Sequence, residues 1–429
     1  MRKEIDLQEL QDKILQNYHR LADSEYYQLE GVFLHDKYYW EGDKEGRSLL
    51  AFVSHYKITG KKIPCMEQML AIMPEKLNAK QYLGEIREQV VAEQQLAGNS
   101  WLLRGLCEHY EQFGDAYSLE LLKAVTENLY LKTKGIYASY PIDRTKKDEG
   151  GVSGTEIGVV GKWLLSSDIG CAFLSVDGLS HVYQVTKDER VKELLDEMIA
   201  VYLAIDKANL RVQTHCTLSS ARGMIRMYMN TKDMKYLNGA KDIYELYVNG
   251  GGMTYTYHNI NWWGRPNTWS EPCAIVDSLM LALELYKATG EEHYRQMAAR
   301  IYHNAFQMMQ RDNGGAGTDT LVYEGSPWNY LAMRSYEAIF CCTMRLAEGL
   351  WYVHENKDLL WCETEGQVTK KEHGIYSDGD ILYGEISGGA EAYAEHFVEV
   401  DGHKLSPIIK SYKVPREILE KSKQQMCFE

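Results

Sequence analysis

The stretch AIVDSLMLALELYKATGEEHY, residues 274–294, holds the pattern that decides the fold. Ile275, Leu279 and Tyr286 recur at helical spacing among other apolar residues, which predicts a helix with a continuous apolar face. Gly290 then ends the helix, because glycine readily adopts the left-handed conformation found just after a helix C-terminus. The acidic residues that follow favour the start of a second helix, so the stretch predicts a helical hairpin.

The same unit recurs six times: an amphipathic run closes on a tyrosine and a polar turn follows. Successive tyrosines are 45 to 73 residues apart, long enough for two helices and loops but too irregular for an open solenoid. Six hairpins that each need a partner face can close into a ring. We therefore predict an all-α (α/α)6 barrel over residues 1–358. The tyrosines are Tyr56, Tyr110, Tyr183, Tyr228, Tyr286 and Tyr352.

The last part of the chain has a different pattern, and we predict a short β-containing tail over residues 359–429. Residues 363–387 suggest short strands around a Ser-Asp-Gly-Asp turn, and a final helix is predicted from about residue 415. Two segments interrupt the helical pattern earlier in the chain. Residues 141–160 and 249–273 are rich in glycine and polar residues, so we predict long loops, which are often functional.

Charge and composition exclude several classes of protein. With 47 Lys+Arg against 61 Asp+Glu, the formal net charge of −14 argues against nucleic-acid or anionic-membrane binding. No apolar run reaches the length of a membrane span. Nine irregularly spaced cysteines favour free or metal-bound thiols over a disulfide scaffold, and the N-terminal segment has no apolar signal region. We expect a cytoplasmic protein, and the sequence leaves a homo-oligomer open.

The aromatic content is compatible with two interpretations. The chain has 31 Tyr and 9 Trp against 8 Phe, and such rings can stack on a sugar face while their OH or NH groups bond to hydroxyls. The alternative is a Tyr-rich core under a packed loop, and the residues alone leave both open. The candidate sugar-binding residues are Trp40, Trp101, His215, Tyr257, Asn259, Trp262, Trp263 and Glu324.

Two short motifs suggest a metal site. Glu271 and Cys273 stand at the head of the strongest predicted helix, where backbone N–H groups favour anions and thiolates. Cys341 and Cys342 lie together in a later helical run. One carboxylate and three thiolates suit a tetrahedral Zn²⁺ ion. The alternative is that these are ordinary small core cysteines.

These motifs, the six hairpins and the glycine-rich segment 250–258 resemble glycoside hydrolase family 127, the β-L-arabinofuranosidases. The resemblance spans roughly residues 40–350. It implies that Glu271, Cys273, Cys341 and Cys342 hold zinc. It also implies a retaining glycosidase in which the Cys341 thiolate attacks the anomeric carbon, and water then releases the thioglycosyl intermediate.

The sequence departs from the family at the general acid/base. The family has a glutamate in a Gly-His-Gly-Glu motif, whereas here His258 is followed by Asn-Ile-Asn, and no Asp or Glu occurs between Glu245 and Glu271. We predict Asp168 as the substitute, because it precedes another helix. Further candidates are Tyr255, His258 and Glu324. The family's downstream β-sandwich is also reduced here to the short tail.

Two other functions remain open on the sequence. One is another carbohydrate-active enzyme of the same barrel, a lyase or an epimerase, that uses Tyr/His acid–base chemistry. The other is a non-catalytic sugar-binding relative in which zinc is structural.

Overall fold

The computed structural model describes residues 1–35, 40–142, 154–265, 268–320, 337–371, 374–385 and 398–407. The backbone divides into two compact units. The terminal unit combines Met1–Arg20, Leu246–Asn261 and Arg265–Phe428, and the central unit is formed by Leu21–Glu245 with Trp262–Gly264. The domain boundary predicted at residue 358 stays a prediction.

Helices dominate the described part of the chain, as predicted. They are α1 (Leu7–Asp23), α2 (Leu29–Val32), α3 (Asp43–Thr59), α4 (Cys65–Lys76), α5 (Glu93–Phe113), α6 (Ala116–Val125), α7 (Ser175–Thr186), α8 (Glu189–Ala204), α9 (Lys207–Leu210), α10 (Thr214–Thr231), α11 (Met234–Asn249), α12 (Pro272–Thr289), α13 (Glu292–Ile301), α14 (Gln307–Met309) and α15 (Cys342–Asn356). Short 3₁₀ turns lie at Glu25–Tyr27, Leu131–Thr133, Tyr137–Ser139, Cys171–Leu174 and Lys357–Leu359, and π-helical turns at Thr126–Tyr130 and Tyr302–Phe306.

Five of the six predicted tyrosine turns share one local structure. The helix ends at a residue in the left-handed conformation, whose backbone N–H donates to the carbonyl of the tyrosine four residues earlier. The five pairs are Gly60 with Tyr56, Gly114 with Tyr110, Lys187 with Tyr183, Lys232 with Tyr228 and Gly290 with Tyr286. The sixth differs, because α15 continues to Asn356, whose Nδ2 donates to the Tyr352 carbonyl at 2.7 Å.

Two kinds of helix alternate along the chain. Helices α3, α5, α7 and α10 are buried on nearly every side over most of their length, whereas α4, α6 and α8 are buried on one side. The same alternation continues from α12, buried on all sides, to the amphipathic α13. This is the succession of inner and outer helices that an (α/α)6 barrel requires. No helix among the described residues is long and apolar enough to cross a membrane.

The strands are short, and half of those in the described part of the chain lie in the predicted tail. They are β1 (Arg2–Lys3), β2 (Val91–Ala92), β3 (Glu156–Val160), β4 (Trp163–Ser166), β5 (Trp269–Ser270), β6 (Asp319–Thr320), β7 (Cys362–Glu363), β8 (Thr369–Lys370), β9 (Ile375–Asp378), β10 (Ile381–Glu385), β11 (Val398–Val400) and β12 (His403–Pro407). Antiparallel pairing gives a five-stranded sheet in the order β11-β12-β10-β9-β8, while β1 pairs with β7 and β5 with β6. The predicted Ser-Asp-Gly-Asp turn does join β9 to β10.

One part of the loop prediction is wrong. Residues 156–160, expected within a long loop, form β3, which pairs with β4 through a bulge between Glu156 and Gly158. β2 completes this sheet of the central unit by pairing in parallel with β4. The glycine content of this segment predicts a loop, but a β-bulge also accepts glycine within a strand. Residues 143–153 and the helix predicted from about 415 lie outside the described residues.

Candidate metal centre

The four residues predicted to bind zinc stand at the starts of two helices of the terminal unit. Glu271 is the N-cap of α12, but its side chain makes no capping hydrogen bond, and Cys273 lies in the first turn. Cys341 is the N-cap of α15, and Cys342 is the first residue of that helix. α12 and α15 pack against each other, so residues almost 70 positions apart meet at one end of the helix pair.

The side chains converge within coordination range. The Cys342 Sγ lies 3.5 Å from the Cys273 Sγ and 3.4 Å from the Cys341 Sγ. One ligand atom from each of the four residues lies within 4.8 Å of every other. Cys273 and Cys342 are fully buried and Glu271 is 8% exposed, whereas Cys341 is only half-buried. Cys341 is therefore the cluster thiol that another molecule can reach most easily.

The donor set and its spacing fit Zn²⁺. With Zn–S bonds of about 2.3 Å, tetrahedral ligands lie about 3.8 Å apart, so the thiols need to move by only a few tenths of an ångström. Burial raises the pKa of the Cys342 thiol well above its usual range. The Cys342 thiol is consequently protonated until a cation displaces its proton. The N-termini of two helices also offset the negative charge that three thiolates and one carboxylate would carry.

A polar support holds the first of these helix starts. The Asn259 Oδ1 accepts a hydrogen bond from the Glu271 backbone N–H at 3.2 Å and another from the Ser270 hydroxyl at 3.3 Å. Asn259 is fully buried. A contact with the backbone of a candidate ligand orients that ligand without binding the metal. Asn259 was predicted to bind sugar, and in the structure its side chain contacts the backbone of Glu271.

The predicted sugar-binding loop forms a tight turn before Asn259. The Tyr257 N–H donates to the Thr254 carbonyl, and Tyr257 adopts the left-handed conformation, with φ of 62°. Such strain at a non-glycine residue persists only where the surroundings impose it. The Tyr257 pKa is raised by burial, and Arg300 and Asp380 are its charged neighbours. Tyr255 is 59% exposed.

His258 is buried in the same turn. The His258 Nδ1 lies 2.9 Å from the Thr256 hydroxyl, and Nε2 has no hydrogen-bond partner among the described residues. Burial lowers the pKa of His258 to about 3. The imidazole is therefore uncharged at neutral pH, so it is poorly suited to act as a general acid.

Two predicted sugar-binding residues come together in the central unit. Trp101 and His215 stack, with ring centroids 5.8 Å apart and planes inclined by 13°. The Arg47 guanidinium lies 3.8 Å from the centre of the Trp101 ring, and its Nη2 is 3.4 Å from the His215 Nε2. The Arg47 Nε donates to both carboxylate oxygens of Asp43 at 2.9 Å. Arg47 and Asp43 were not among the predicted site residues, although their four-residue spacing on a predicted helix is typical of an ion pair.

The other central-unit candidates are engaged in packing or loop contacts. Asp168 accepts hydrogen bonds from the Gly154 N–H at 2.6 Å and the Gln213 side chain at 2.9 Å. Trp40 belongs to the buried cluster around Trp101. The remaining pair, Trp262 and Trp263, is fully buried, and Trp263 donates to the Val212 carbonyl and the Thr217 hydroxyl. Glu324 lies outside the described residues.

A second group of candidate ligands, which the sequence did not suggest, is better explained as an ion network. Glu108, Glu111 and His181 converge in the central unit. However, the Lys57 ammonium donates to Glu108 at 2.5 Å, and Arg104 contacts the His181 Nδ1. The other ring nitrogen of His181 is 2.9 Å from Glu111. Two cations already neutralise this cluster, so it does not favour a metal ion.

Comparisons with known proteins identify the fold. No protein-family model and no curated protein matches the chain. A solved glycoside hydrolase is similar over 85% of this chain and 59% of its own, at 11% identity and a TM-score of 0.54. A GH127 β-arabinofuranosidase is similar over 90% and 66%, at 12% identity and a TM-score of 0.53. A sugar epimerase from a ruminal bacterium is similar over 81% and 97%, at 13% identity and a TM-score of 0.55.

Similarity at such low sequence identity establishes the fold, but not the family or the activity. The chain has the all-α (α/α)6 barrel fold with a short tail of strands, as the sequence predicts. The class that fold and site define together is an (α/α)6-barrel protein with a cysteine-rich candidate metal centre. The match spans about three fifths and two thirds of the lengths of the two glycosidases.

Proposed function

We propose that the protein is a zinc-dependent retaining glycoside hydrolase whose nucleophile is Cys341, with β-L-arabinofuranosides as the reference substrate class. The observation that carries the proposal is the convergence of Glu271, Cys273, Cys341 and Cys342 at two helix N-termini, with Cys341 the most accessible thiol of the cluster. The likeness to a GH127 β-arabinofuranosidase supports the same choice.

The proposed reaction divides one displacement into two. Zinc, when bound, would keep the cluster thiols deprotonated at neutral pH. The Cys341 Sγ then attacks the anomeric carbon, a C–S bond forms, and the bond to the leaving oxygen breaks. A general acid gives that oxygen a proton. Water, deprotonated by the same group, next displaces the sulfur and releases the sugar with its starting configuration.

Asp168 and Tyr255 stay the proposed sources of that proton. His258 is the weaker choice, because burial lowers its pKa to about 3 and so keeps the ring uncharged at neutral pH, where its remaining N–H is a very weak acid. Loss of general acid assistance lowers the rate by a factor of roughly 10²–10⁴. Substrates with good leaving groups should therefore be turned over first in a screen. We also propose that the protein works in the cytoplasm, where its thiols stay reduced, on small oligosaccharides.

One arrangement favours a second candidate function. Arg47, Trp101 and His215 form a stacked, charged group in the central unit, and a histidine can move protons at a sugar carbon without any covalent intermediate. Likeness over 97% of a sugar epimerase chain suits this alternative, an epimerase or lyase. In that case the metal would be structural. A sugar-binding protein without activity is the third possibility.

Metal content and one substitution separate these functions. Elemental analysis should find about one zinc per wild-type chain and none in the Cys341→Ala/Cys342→Ala variant. Cys341→Ser should keep zinc, because a serine oxygen can replace one ligand, but lose hydrolysis of aryl furanosides. Cys65→Ser is the matched control, since Cys65 is a buried thiol of α4 outside the cluster.

The outcomes of these measurements distinguish the three candidate functions. A metal-free, folded wild type contradicts the proposal. Epimerisation or lyase activity on a sugar that survives Cys341→Ser but not His215→Ala favours the acid–base alternative. A zinc-loaded wild type that binds sugars but transforms none favours the binding protein.

A further inference from the structure

A buried ion triad joins α12 to α15 one helical turn beyond the candidate metal ligands. Asp277 lies on α12, and Arg345 and Glu348 lie on α15. The Arg345 Nη2 donates to the Asp277 Oδ1, while Nη1 contacts the Glu348 carboxylate. All three side chains are at most 1% exposed. Nothing in the proposed chemistry uses them.

On each helix, one residue of the triad lies four positions after a candidate ligand. Asp277 follows Cys273 by four residues, and Arg345 follows Cys341 by four residues. On a helix, residues four apart lie on one face, with an axial separation of about 6 Å. The ion pair thus connects the two helix faces that carry Cys273 and Cys341.

Stability alone does not account for a buried triad of this kind. The cost of removing charges from water cancels most of their attraction, and well-packed apolar residues are often as stable. What a charged pair adds is a fixed relation between the two helices, because sliding either helix leaves buried charges apart. Helices held only by apolar contacts can repack with less penalty.

The metal site depends on such a fixed relation. The Cys273 Sγ and the Cys342 Sγ belong to different helices and lie 3.5 Å apart. A slide of α15 along α12 by about 1 Å would exceed the tolerance of about 0.2 Å on metal–ligand distances. The close approach of the helices is visible at Gly349, where a Cβ would lie 3.0 Å from Val276.

We infer that Asp277 and Arg345 are positioning residues, which set the register of α12 against α15 so that the four ligands converge on one metal ion. The inference rests on the proposed zinc site. It assigns the pair a role in metal affinity and coordination geometry that exceeds any role in folding.

The test is Asp277→Asn. This change keeps the side-chain shape and leaves Arg345 paired with Glu348, so the remaining charges balance. Asp177→Asn is the matched control: Asp177 is also a buried aspartate between helices, bonded to Arg104 and Arg226, but it belongs to the central unit. Zinc affinity is measured by competition with a chromophoric chelator. Coordination geometry is measured from the visible bands of the Co²⁺-substituted protein.

We expect Asp277→Asn to weaken zinc binding by about 10- to 100-fold and to change the Co²⁺ bands. Asp177→Asn should lower stability and leave both readouts as in the wild type. If Asp277→Asn fails to fold, an uncharged version of the triad, Asp277→Leu with Arg345→Met and Glu348→Gln, takes its place and should also bind zinc weakly.

Failures of the two proposals are distinguishable. A wild type that binds no zinc overturns the metal site and, with it, the positioning role. A wild type that binds zinc, with Asp277→Asn or the uncharged version matching its affinity and its Co²⁺ spectrum, overturns the positioning role alone. Equal losses in Asp277→Asn and Asp177→Asn would also overturn it, because they would reflect general destabilisation.

Discussion

Replacing Gly46 by alanine tests the packing that brings Arg47 onto Trp101. A Cβ at Gly46 would lie 2.0 Å from the Trp101 carbonyl carbon and 2.1 Å from the Leu102 nitrogen. These are backbone atoms, so no side-chain rotation can relieve the clash. Ordinary carbon contacts begin near 3.5 Å, so α3 and α5 would have to separate by about 1.5 Å.

The expected cost follows from that separation. Overpacking a core costs about 1–3 kcal/mol, and a rigid backbone contact belongs at the upper end of that range. The better helix propensity of alanine returns about 1 kcal/mol. We therefore expect Gly46→Ala to lower the free energy of unfolding by about 2 kcal/mol. It should also weaken the contact between Arg47 and Trp101, now 3.8 Å from guanidinium to ring centre.

The assay is chemical denaturation followed by far-UV circular dichroism, with near-UV dichroism as the signal of the tryptophan environment. Gly239→Ala is the matched control in α11, because its Cβ would meet only side-chain atoms, 3.0 Å from Leu203 and 3.2 Å from Met224. Those side chains can move, so the control should stay within about 1 kcal/mol of the wild type. A Gly46→Ala protein with wild-type stability and near-UV spectrum would refute the reasoning.

Three further predictions concern two buried histidines, Asp168 and the proposed zinc ion. Burial lowers the pKa of His55 and His258 from 6.5 to about 3, so between these values the unfolded chain holds protons that the folded chain lacks. Stability should therefore fall by about 1.4 kcal/mol per pH unit for each histidine as the pH drops below 6.5, and a flat denaturation midpoint from pH 6.5 to 4 would contradict this. Asp168→Asn places an amide against the donors Gly154 and Gln213. It should lower the free energy of unfolding by about 1–3 kcal/mol, measured by denaturation. A loss of turnover in protein that is still fully folded would support the acid/base role of Asp168. Removing zinc with a chelator should lower the melting temperature but leave the helical dichroism, since the buried Cys342 thiol is neutral without metal; unchanged melting would speak against a bound ion.

Local signals account for the parts of the fold that the sequence predicted well. A helix end needs a left-handed residue and an acceptor four positions back, and both are contained in a turn such as Tyr286 to Gly290. The segment around Gly158 was mispredicted because glycine suits both a loop and a bulged strand, and the choice depends on pairing with β4. Glycine content alone carries no information about that partner.

The residues of the candidate site likewise differ in whether the sequence could predict their roles. Glu271 and Cys273 could be proposed as ligands because residue type and a predicted helix start suffice for the argument. That Asn259 lies behind Glu271 could not be foreseen, because an asparagine in a loop next to aromatic residues is equally typical of sugar binding. Arg47 was missed for a related reason: its contact with Trp101 depends on how closely two helices pack.

By itself, the sequence determined where most helices end, the all-α class and the donor types of a candidate metal site, because each depends on residues close together in the chain. Tertiary structure alone decided which helix faces meet. The 3.5 Å approach of Cys273 and Cys342, and the ion pair of Asp277 and Arg345 one turn further, join segments almost 70 residues apart. Such contacts are set by helix register, which depends on the packing of whole helices and is not encoded in any short stretch of sequence.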